Sequence, residues 1–427
     1  MNICVFTRVI GKHSIGGMQN HTTLFTEALA QAGHFIHIIT AGYRNLSFER
    51  TQKGIFIHYL RGVLWKRYSF KWWLQSRKKF IELHKKYNFD VIFSESTAGY
   101  SYFLFGLKRK YPMPFIQFAH GTAFGEINSV FHQKFSFRSI ASIIYLLQTH
   151  YILGLPCWYY SDLIIAISRE LKLRILKESR ILDQKRVIFL PNGVDGTKFF
   201  PQKAPRKGSS TILCIGRIIE QKGFQVVISA VASLKHKFPA IKLAIIGEGE
   251  YLPSLKQLVS RLKLDDIVSF IGVVPEEKLN EYYNSADILI VPSLRIEGLP
   301  FTILEGMACQ LPIIASRIGG IPTAIIDNVN GILIPPNNVS IMEQKIELLL
   351  ENKEFAGILA LNARNDFIKR FDNTRITDII LSIIKRLKDL YNKPKKYHLM
   401  ELKKFVLRDF YVPPKLPVFC STCPSKG

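Results

Sequence analysis

Two glutamates, Glu297 and Glu305, stand eight residues apart directly behind the apolar run Ile288–Val291, within Pro292-Ser-Leu-Arg-Ile-Glu297-Gly-Leu-Pro-Phe-Thr-Ile-Leu-Glu305-Gly-Met-Ala308. Pro300 suits the first turn of a helix, where its missing N–H has no intrahelical acceptor to lose. That placement puts Glu297 in the loop ahead of the helix and Glu305 about two turns into it. The unpaired N–H groups of such a helix start form an anion site. A second apolar run, Thr211–Ile215, leads into Gly216-Arg217-Ile-Ile-Glu-Gln-Lys222-Gly223. Arg217 offers a planar fork and Lys222 a mobile point charge, a combination suited to a diphosphate. Alone, these cations would be ordinary solvated surface, and an acid before a helix can simply complement its dipole. Together, the two cations and two carboxylates define a candidate site.

The elements that must carry these residues are short apolar runs alternating with helical patterns. Strands are expected at Ile3–Thr7, Ile36–Thr40, Val91–Ser94, Phe115–Ala119, Leu163–Ile167, Val187–Leu190, Thr211–Ile215, Lys242–Ile246, Val268–Phe270, Ile288–Val291 and Ile313–Ala315. Many are continuously apolar, as strands of a parallel sheet covered on both faces must be. The βα repetition implies an α/β protein with doubly wound parallel sheets. Phe200–Ser210, rich in Pro, Gly and Ser, is the natural linker between two such domains. Ligands of open α/β sheets bind beyond the carboxyl ends of the strands, so the cleft between the domains is the expected site. Gly247-Glu-Gly249 follows a strand, but Leu252 stands where a dinucleotide fingerprint needs its third glycine, which argues against a nicotinamide cofactor.

Read in order, these motifs and several others resemble the retaining GT-B glycosyltransferases of family 4, over nearly all of residues 1–390. The further elements are Gly16-Gly17-Met-Gln-Asn-His, Gly33-His34, Phe118-Ala-His120-Gly121, Ala166-Ile-Ser168, Pro191-Asn-Gly-Val-Asp195, Phe270-Ile-Gly-Val-Val274 and Gly319-Gly320-Ile-Pro322. The resemblance implies two Rossmann-like domains facing across a cleft, with a carboxyl-terminal helix that crosses back to the first. It implies that Arg217 and Lys222 clamp the diphosphate of a nucleotide sugar with no metal and no cofactor. It further implies that Glu305 accepts the ribose hydroxyls, that the backbone at Val274 meets the base, and that Glu297 faces the transferred sugar. His120 would approach the sugar ring while the Gly16-Gly17 loop closes over the phosphates. Pro300 stands where many relatives have Gly and cannot donate, so backbone contacts to the donor fall to Leu299, Phe301 or Thr302. Gln310 and Thr323 also replace a frequent Gly and Glu. The residue types suit the chemistry, since fixed cations and helix N–H groups stabilise the charge that develops on a departing diphosphate. A hydrolase would instead need its two carboxylates flanking the scissile bond.

The charge narrows the partners. The 427 residues carry 58 Lys and Arg against 33 Asp and Glu, a net +25. Residues 1–200 hold 27 basic and 11 acidic side chains, 201–384 hold 20 and 19, and 385–427 hold 11 and 3. The excess belongs to the first half and the tail. Within residues 61–86 lie nine Lys or Arg and three of the four tryptophans, Trp65, Trp72 and Trp73. Rings at a headgroup boundary with cations against anionic lipid are one reading; a solvated basic face with the rings packed inward is the other. No nucleic-acid motif accompanies the charge, so nucleic acid is not expected as a partner.

The organisation expected is a basic, acceptor-side, membrane-facing domain (1–200), a nucleotide-sugar domain (201–370), a helix crossing back (371–391) and a basic, Pro-containing tail (392–427). No signal peptide is read at the amino terminus. The uncharged stretch from Ser139 to Ser161 contains Gln148, Thr149, His150, Gly154 and Pro156, and reads as a buried or interfacial helix rather than a span. Cys4, Cys157, Cys214 and Cys309 fall singly in apolar contexts, which fits a reducing cytoplasm, and Cys420-Ser-Thr-Cys423 lacks a second pair. The expectation is therefore a cytoplasmic, membrane-peripheral hexosyltransferase that extends a saccharide or lipid-linked acceptor in polysaccharide or lipopolysaccharide synthesis. A GT-B epimerase or phosphorylase and a non-catalytic lipid or sugar-nucleotide binding module are the alternatives.

Overall fold

The computed structural model describes residues 1–392 apart from 15, 66, 67, 126, 128–136, 180, 181 and 203–209. The chain builds two α/β domains. In the first, β1 (Asn2–Phe6), β2 (Phe35–Ala41), β3 (Phe48–Arg50), β4 (Ile55–Leu60), β5 (Val91–Glu95), β6 (Phe115–Ala119), β7 (Leu163–Ala166) and β8 (Val187–Phe189) form one sheet in the order β3-β4-β2-β1-β5-β6-β7-β8. Only the edge strand β3 runs antiparallel to its neighbour. In the second, β9 (Ser210–Ile215), β10 (Ile241–Ile246), β11 (Val268–Gly272), β12 (Ile288–Val291), β13 (Ile313–Ser316) and β14 (Ile332–Ile334) form an all-parallel sheet in the order β11-β10-β9-β12-β13-β14. Both orders reverse at the middle, between β1 and β5 and between β9 and β12, and a crevice opens at such a reversal.

The expected strands are present with ends shifted by a residue or two. Three others escaped sequence reading. β4 alternates Ile55, Ile57 and Tyr59 with Phe56 and His58, β3 is an edge strand of three residues, and β14 is too short to show a period.

The chain crosses between domains twice, and the crossings touch. Val194 and Phe199 already pack in the second domain's core, ahead of the Phe200–Ser210 stretch. Val194 N–H donates to Phe371 O and Asn373 N–H to Val194 O, at 2.9 Å each. The helix Asn373–Tyr391 then seats Ile376, Ile380, Ile383, Ile384, Leu387 and Leu390 in the first domain's core beside β1. Tyr391 caps this docking by donating to Asp162 Oδ2 at 2.8 Å.

In the basic half the structure decides between the two readings of the tryptophans. Trp72 and Trp73 are buried, and the Trp72 indole donates to Ala98 O at 3.1 Å. The helix Phe70–Tyr87 thus turns its rings inward and its lysines outward, because an apolar face at helical spacing covers the sheet. Trp65 also packs, partly buried, against this core. The Ser139–Ser161 stretch is not broken by its polar residues. Helix Phe137–Thr149 continues through a π turn at His150–Gly154 into helix Leu155–Tyr160, and the widened turn admits Pro156 without ending the run. By length and composition alone, Ile140–Tyr160 could cross a membrane, and little of it is buried against the domain. The tail 393–427, with Lys393–Lys404, Cys420 and Cys423, lies outside the described residues.

Candidate active site

The cleft between the domains encloses about 320 Å³ and is lined from both sides. β1 leads to Gly16 and Gly17 at the start of helix Gly17–Gln31, and β6 leads directly to His120. Across from them β9 delivers Arg217 and Lys222, and β12 delivers Ser293, Arg295, Glu297 and Leu299, followed by Phe301 and Thr302. Most of these loops leave strands at or next to the two sheet reversals, where the first domain and the second each open toward the other.

Two glycines hold the second-domain loops in place. Gly223 adopts φ +76°, and a Cβ there would stand 2.1 Å from Pro292 O, so only glycine lets the Lys222 loop press against the exit of β12. Leu294 N–H donates to Gln221 O at 2.9 Å across the same contact. Gly320 lies so close to Gly298 O that any Cβ would overlap it, and its N–H donates to Glu297 O at 2.8 Å. These contacts bring Lys222 to Glu297. Its Nζ donates to Glu297 Oε1 at 2.8 Å, and Ser293 Oγ donates to the same oxygen at 3.2 Å. Arg217 is exposed at the cleft edge with no partner among the described residues.

Helix Phe301–Ala308 begins one residue after Pro300, which serves as its N-cap rather than its first turn. Glu305 therefore sits about one turn in, not two. Phe301 and Thr302, in the first turn of this helix, line the cleft, as do Gly16 and Gly17 at the start of Gly17–Gln31, and the first N–H groups of a helix have no intrahelical acceptor. Two helix amino termini, one from each domain, thus meet over a single space that is positively biased by both dipoles.

Glu305 and Val274 are not among the residues lining this space. Glu305 is buried, and Tyr283 donates to its Oε2 at 2.5 Å. Burial pushes its carboxyl up to about 7 in spite of that hydrogen bond. Val274 is half-buried beyond β11, packed against the second domain's core.

Sequence reading missed several residues that the fold gathers here. Arg295 adds a third cation to the cleft, and its Nε has no partner. Its signal was present: an arginine two positions before Glu297 in a loop leaving a strand. Asn192, within the Pro191–Asp195 motif, donates through Nδ2 to Leu299 O at 3.0 Å across the domain boundary and keeps a buried, unpartnered Oδ1. Thr323 Oγ1 accepts from Arg169 N–H at 3.3 Å, a second bridge between domains at the position where Glu is frequent. Glu95 and His21 contact His120, and nothing in their spacing announces it, because three separate elements supply the three residues.

A parallel-sheet pair with cations and helix termini facing one cleft defines the GT-B class of glycosyltransferase. Sequence comparison gives the family: residues 15–198 match Glycosyltransferase Family 4 and residues 195–369 match Glycosyl transferases group 1, so the chain belongs to the family 4, group 1 glycosyltransferases. It is 25% identical over 404 residues to the uncharacterised glycosyltransferase MJ1607 of Methanocaldococcus jannaschii, covering 90% of this chain and 98% of that one. A GDP-mannose-dependent alpha-(1-6)-phosphatidylinositol monomannoside mannosyltransferase of Mycolicibacterium smegmatis is 29% identical over 191 residues, 41% of this chain and 50% of that protein. Among solved structures, sucrose-phosphate synthase from Thermosynechococcus elongatus superposes with a TM-score of 0.75 at 20% identity, covering 90% of this chain and 98% of that one. The Anabaena protein HepE in complex with UDP gives 0.68 at 17% identity, covering 90% and 100%.

Proposed function

We propose that this glycosyltransferase moves a hexose from a nucleotide-diphosphate donor to a saccharide or lipid-linked acceptor, with retention of anomeric configuration. The observation that carries the reading is the meeting of Lys222, Arg217 and Arg295 with two helix amino termini in one cleft, Lys222 already paired to Glu297. A diphosphate at the start of Phe301–Ala308 receives N–H donors and three cations, which supply the charge that a divalent metal supplies elsewhere. Its sugar then points toward Glu297 and His120. As the sugar–phosphate bond breaks, negative charge grows on the leaving oxygen beside Lys222, and the leaving phosphate takes the proton of the acceptor hydroxyl on the same face. The ribose and base fall beyond this space, toward Glu305 one turn up the helix and the backbone at Val274, neither of which lines it. The complex of HepE with UDP supports a nucleotide donor, and the mannosyltransferase relative supports a lipid-linked acceptor.

The acceptor is reached at the cytoplasmic face of an anionic membrane. The support is the exposed apolar face of Ile140–Tyr160, with Ile144, Tyr151, Ile152 and Tyr159 turned outward. Lys108, whose Nζ donates to Tyr160 O at 2.7 Å, and exposed Arg109 and Lys110 border its carboxyl end. Apolar side chains entering the headgroup boundary beside such cations bind anionic bilayers.

A screen of nucleotide sugars for protection against thermal unfolding tests the donor reading, because a true donor raises the Tm in a concentration-dependent way. A shift with one nucleotide sugar that is lost in Lys222→Ala supports it. No shift with any nucleotide sugar counts against it.

A further inference from the structure

His120, directly after β6, is the one imidazole among the described residues that lines the cleft, and it is not alone. Its Nε2 lies 2.5 Å from Oε2 of Glu95, the last residue of β5, and the other carboxylate oxygen lies 3.1 Å from Nδ1 of His21 in helix Gly17–Gln31. Glu95 and His21 are buried. The His21 ring stands edge-on to Phe118 and His120, with centroids 4.5 and 4.9 Å away, and stacks on Phe25. Packing on these sides fixes both rings.

We propose that Glu95 and His21 are positioning residues: the Glu95 carboxylate accepts one hydrogen bond from each imidazole, so His120 carries its proton on Nε2 and offers a bare Nδ1 to a hydroxyl of the bound sugar. A carboxylate has no proton to give, so each ring nitrogen facing it must be the donor. Burial alone would raise the Glu95 carboxyl, yet the two imidazoles that face it outweigh burial and lower it, so it stands as a carboxylate at neutral pH. Burial lowers His120, which favours its neutral form and leaves one nitrogen free of a proton. No described residue partners that Nδ1. The arrangement makes His120 an acceptor toward the sugar, which suits a hydroxyl donating from a ring that gains positive charge in the transition state. Because His21 belongs to the helix that begins at Gly16-Gly17, the same carboxylate also ties that helix start to His120. The proposal rests on the glycosyltransferase reading of the cleft.

The test is nitrogen NMR of histidine-labelled full-length protein, with His120 assigned by its loss in His120→Ala. The expected result is a protonated Nε2 and an unprotonated Nδ1 at neutral pH. In Glu95→Gln, an isosteric change whose amide can donate to Nε2, the tautomer should reverse. Transfer should then fall at least about tenfold in kcat with donor KM nearly unchanged, as for a group acting in the transition state. A wild-type His120 protonated on Nδ1, or a Glu95→Gln enzyme with wild-type kcat, overturns the proposal. One-to-one uptake of Zn²⁺ by the wild type that is lost in Glu95→Gln also overturns it, because the three side chains lie within 4.8 Å of one another and would then be metal ligands. Wild-type transfer in Lys222→Ala and Glu297→Gln would defeat the reading of the cleft while leaving the tautomer result standing.

Discussion

Replacing Lys222 by alanine isolates the cation nearest to both the expected leaving group and Glu297. In the free protein its ammonium is 2.8 Å from Glu297 Oε1, with the two side chains 21% and 14% exposed. Losing one partner leaves Glu297 with the Ser293 hydroxyl at 3.2 Å, and the rim of a wet cleft keeps the stability cost near about 1 kcal/mol. The effect on turnover should be larger. A hydrogen bond to a charged group contributes about 1.5–3 kcal/mol, and if that interaction strengthens as charge reaches the leaving oxygen, kcat falls roughly 10- to 150-fold. Arg217 and Arg295 remain in the cleft, so residual activity persists and donor KM changes less than kcat. The assay is initial-rate release of nucleoside diphosphate in the presence of acceptor, with thermal melts confirming that the variant is folded. A folded Lys222→Ala protein with kcat and kcat/KM within about twofold of wild type would refute the role given to this cation.

Three further outcomes follow from the same geometry. Arg295→Ala should weaken protection by nucleotide diphosphates about tenfold in apparent Kd, read by thermal shift, because Arg295 lines the diphosphate space and its Nε has no partner. Glu305 is raised to about 7 when folded, so the native state holds a proton that the unfolded chain releases at lower pH. Its contribution is therefore fully present below the unfolded value and is lost as pH rises toward about 7; Glu305→Gln should flatten the fall in Tm between acid and neutral pH. Ile144→Asp and Ile152→Asp should leave folding intact, both residues being exposed, and abolish flotation with anionic liposomes. Undiminished flotation, or equal binding of the wild type to neutral vesicles, would remove the membrane role from this helix.

Much of the fold was legible because parallel strands buried on both faces must be continuously apolar, and such runs stand out between helical patterns. The exceptions are β3, an exposed three-residue edge strand, β14, buried but too short to show a pattern, and β4, whose His58 and Tyr59 interrupt the aliphatic run. In the site, Arg217, Lys222 and Glu297 were readable from type and position at strand ends, and the fold brings them to one cleft. Arg295 carries the same signal, an arginine in the loop that leaves β12 two positions before Glu297. The Glu95–His120–His21 contact was not readable, since a strand end, a second strand end and a helix meet only after the sheet is assembled. The tryptophans of residues 61–86 mislead for a physical reason. Composition counts rings and cations together, while a helix sorts them onto opposite faces, and Trp72 and Trp73 went to the core.

The central claim, sugar transfer from a nucleotide donor with retained configuration, is tested most directly by analysing the product. The enzyme, the nucleotide sugar that protects it and a lipid-linked saccharide acceptor should release nucleoside diphosphate one-for-one with product. The new linkage should carry the donor's anomeric configuration in the proton NMR spectrum. An inverted linkage, or diphosphate released at the same rate without acceptor and accompanied by free sugar, would contradict the account.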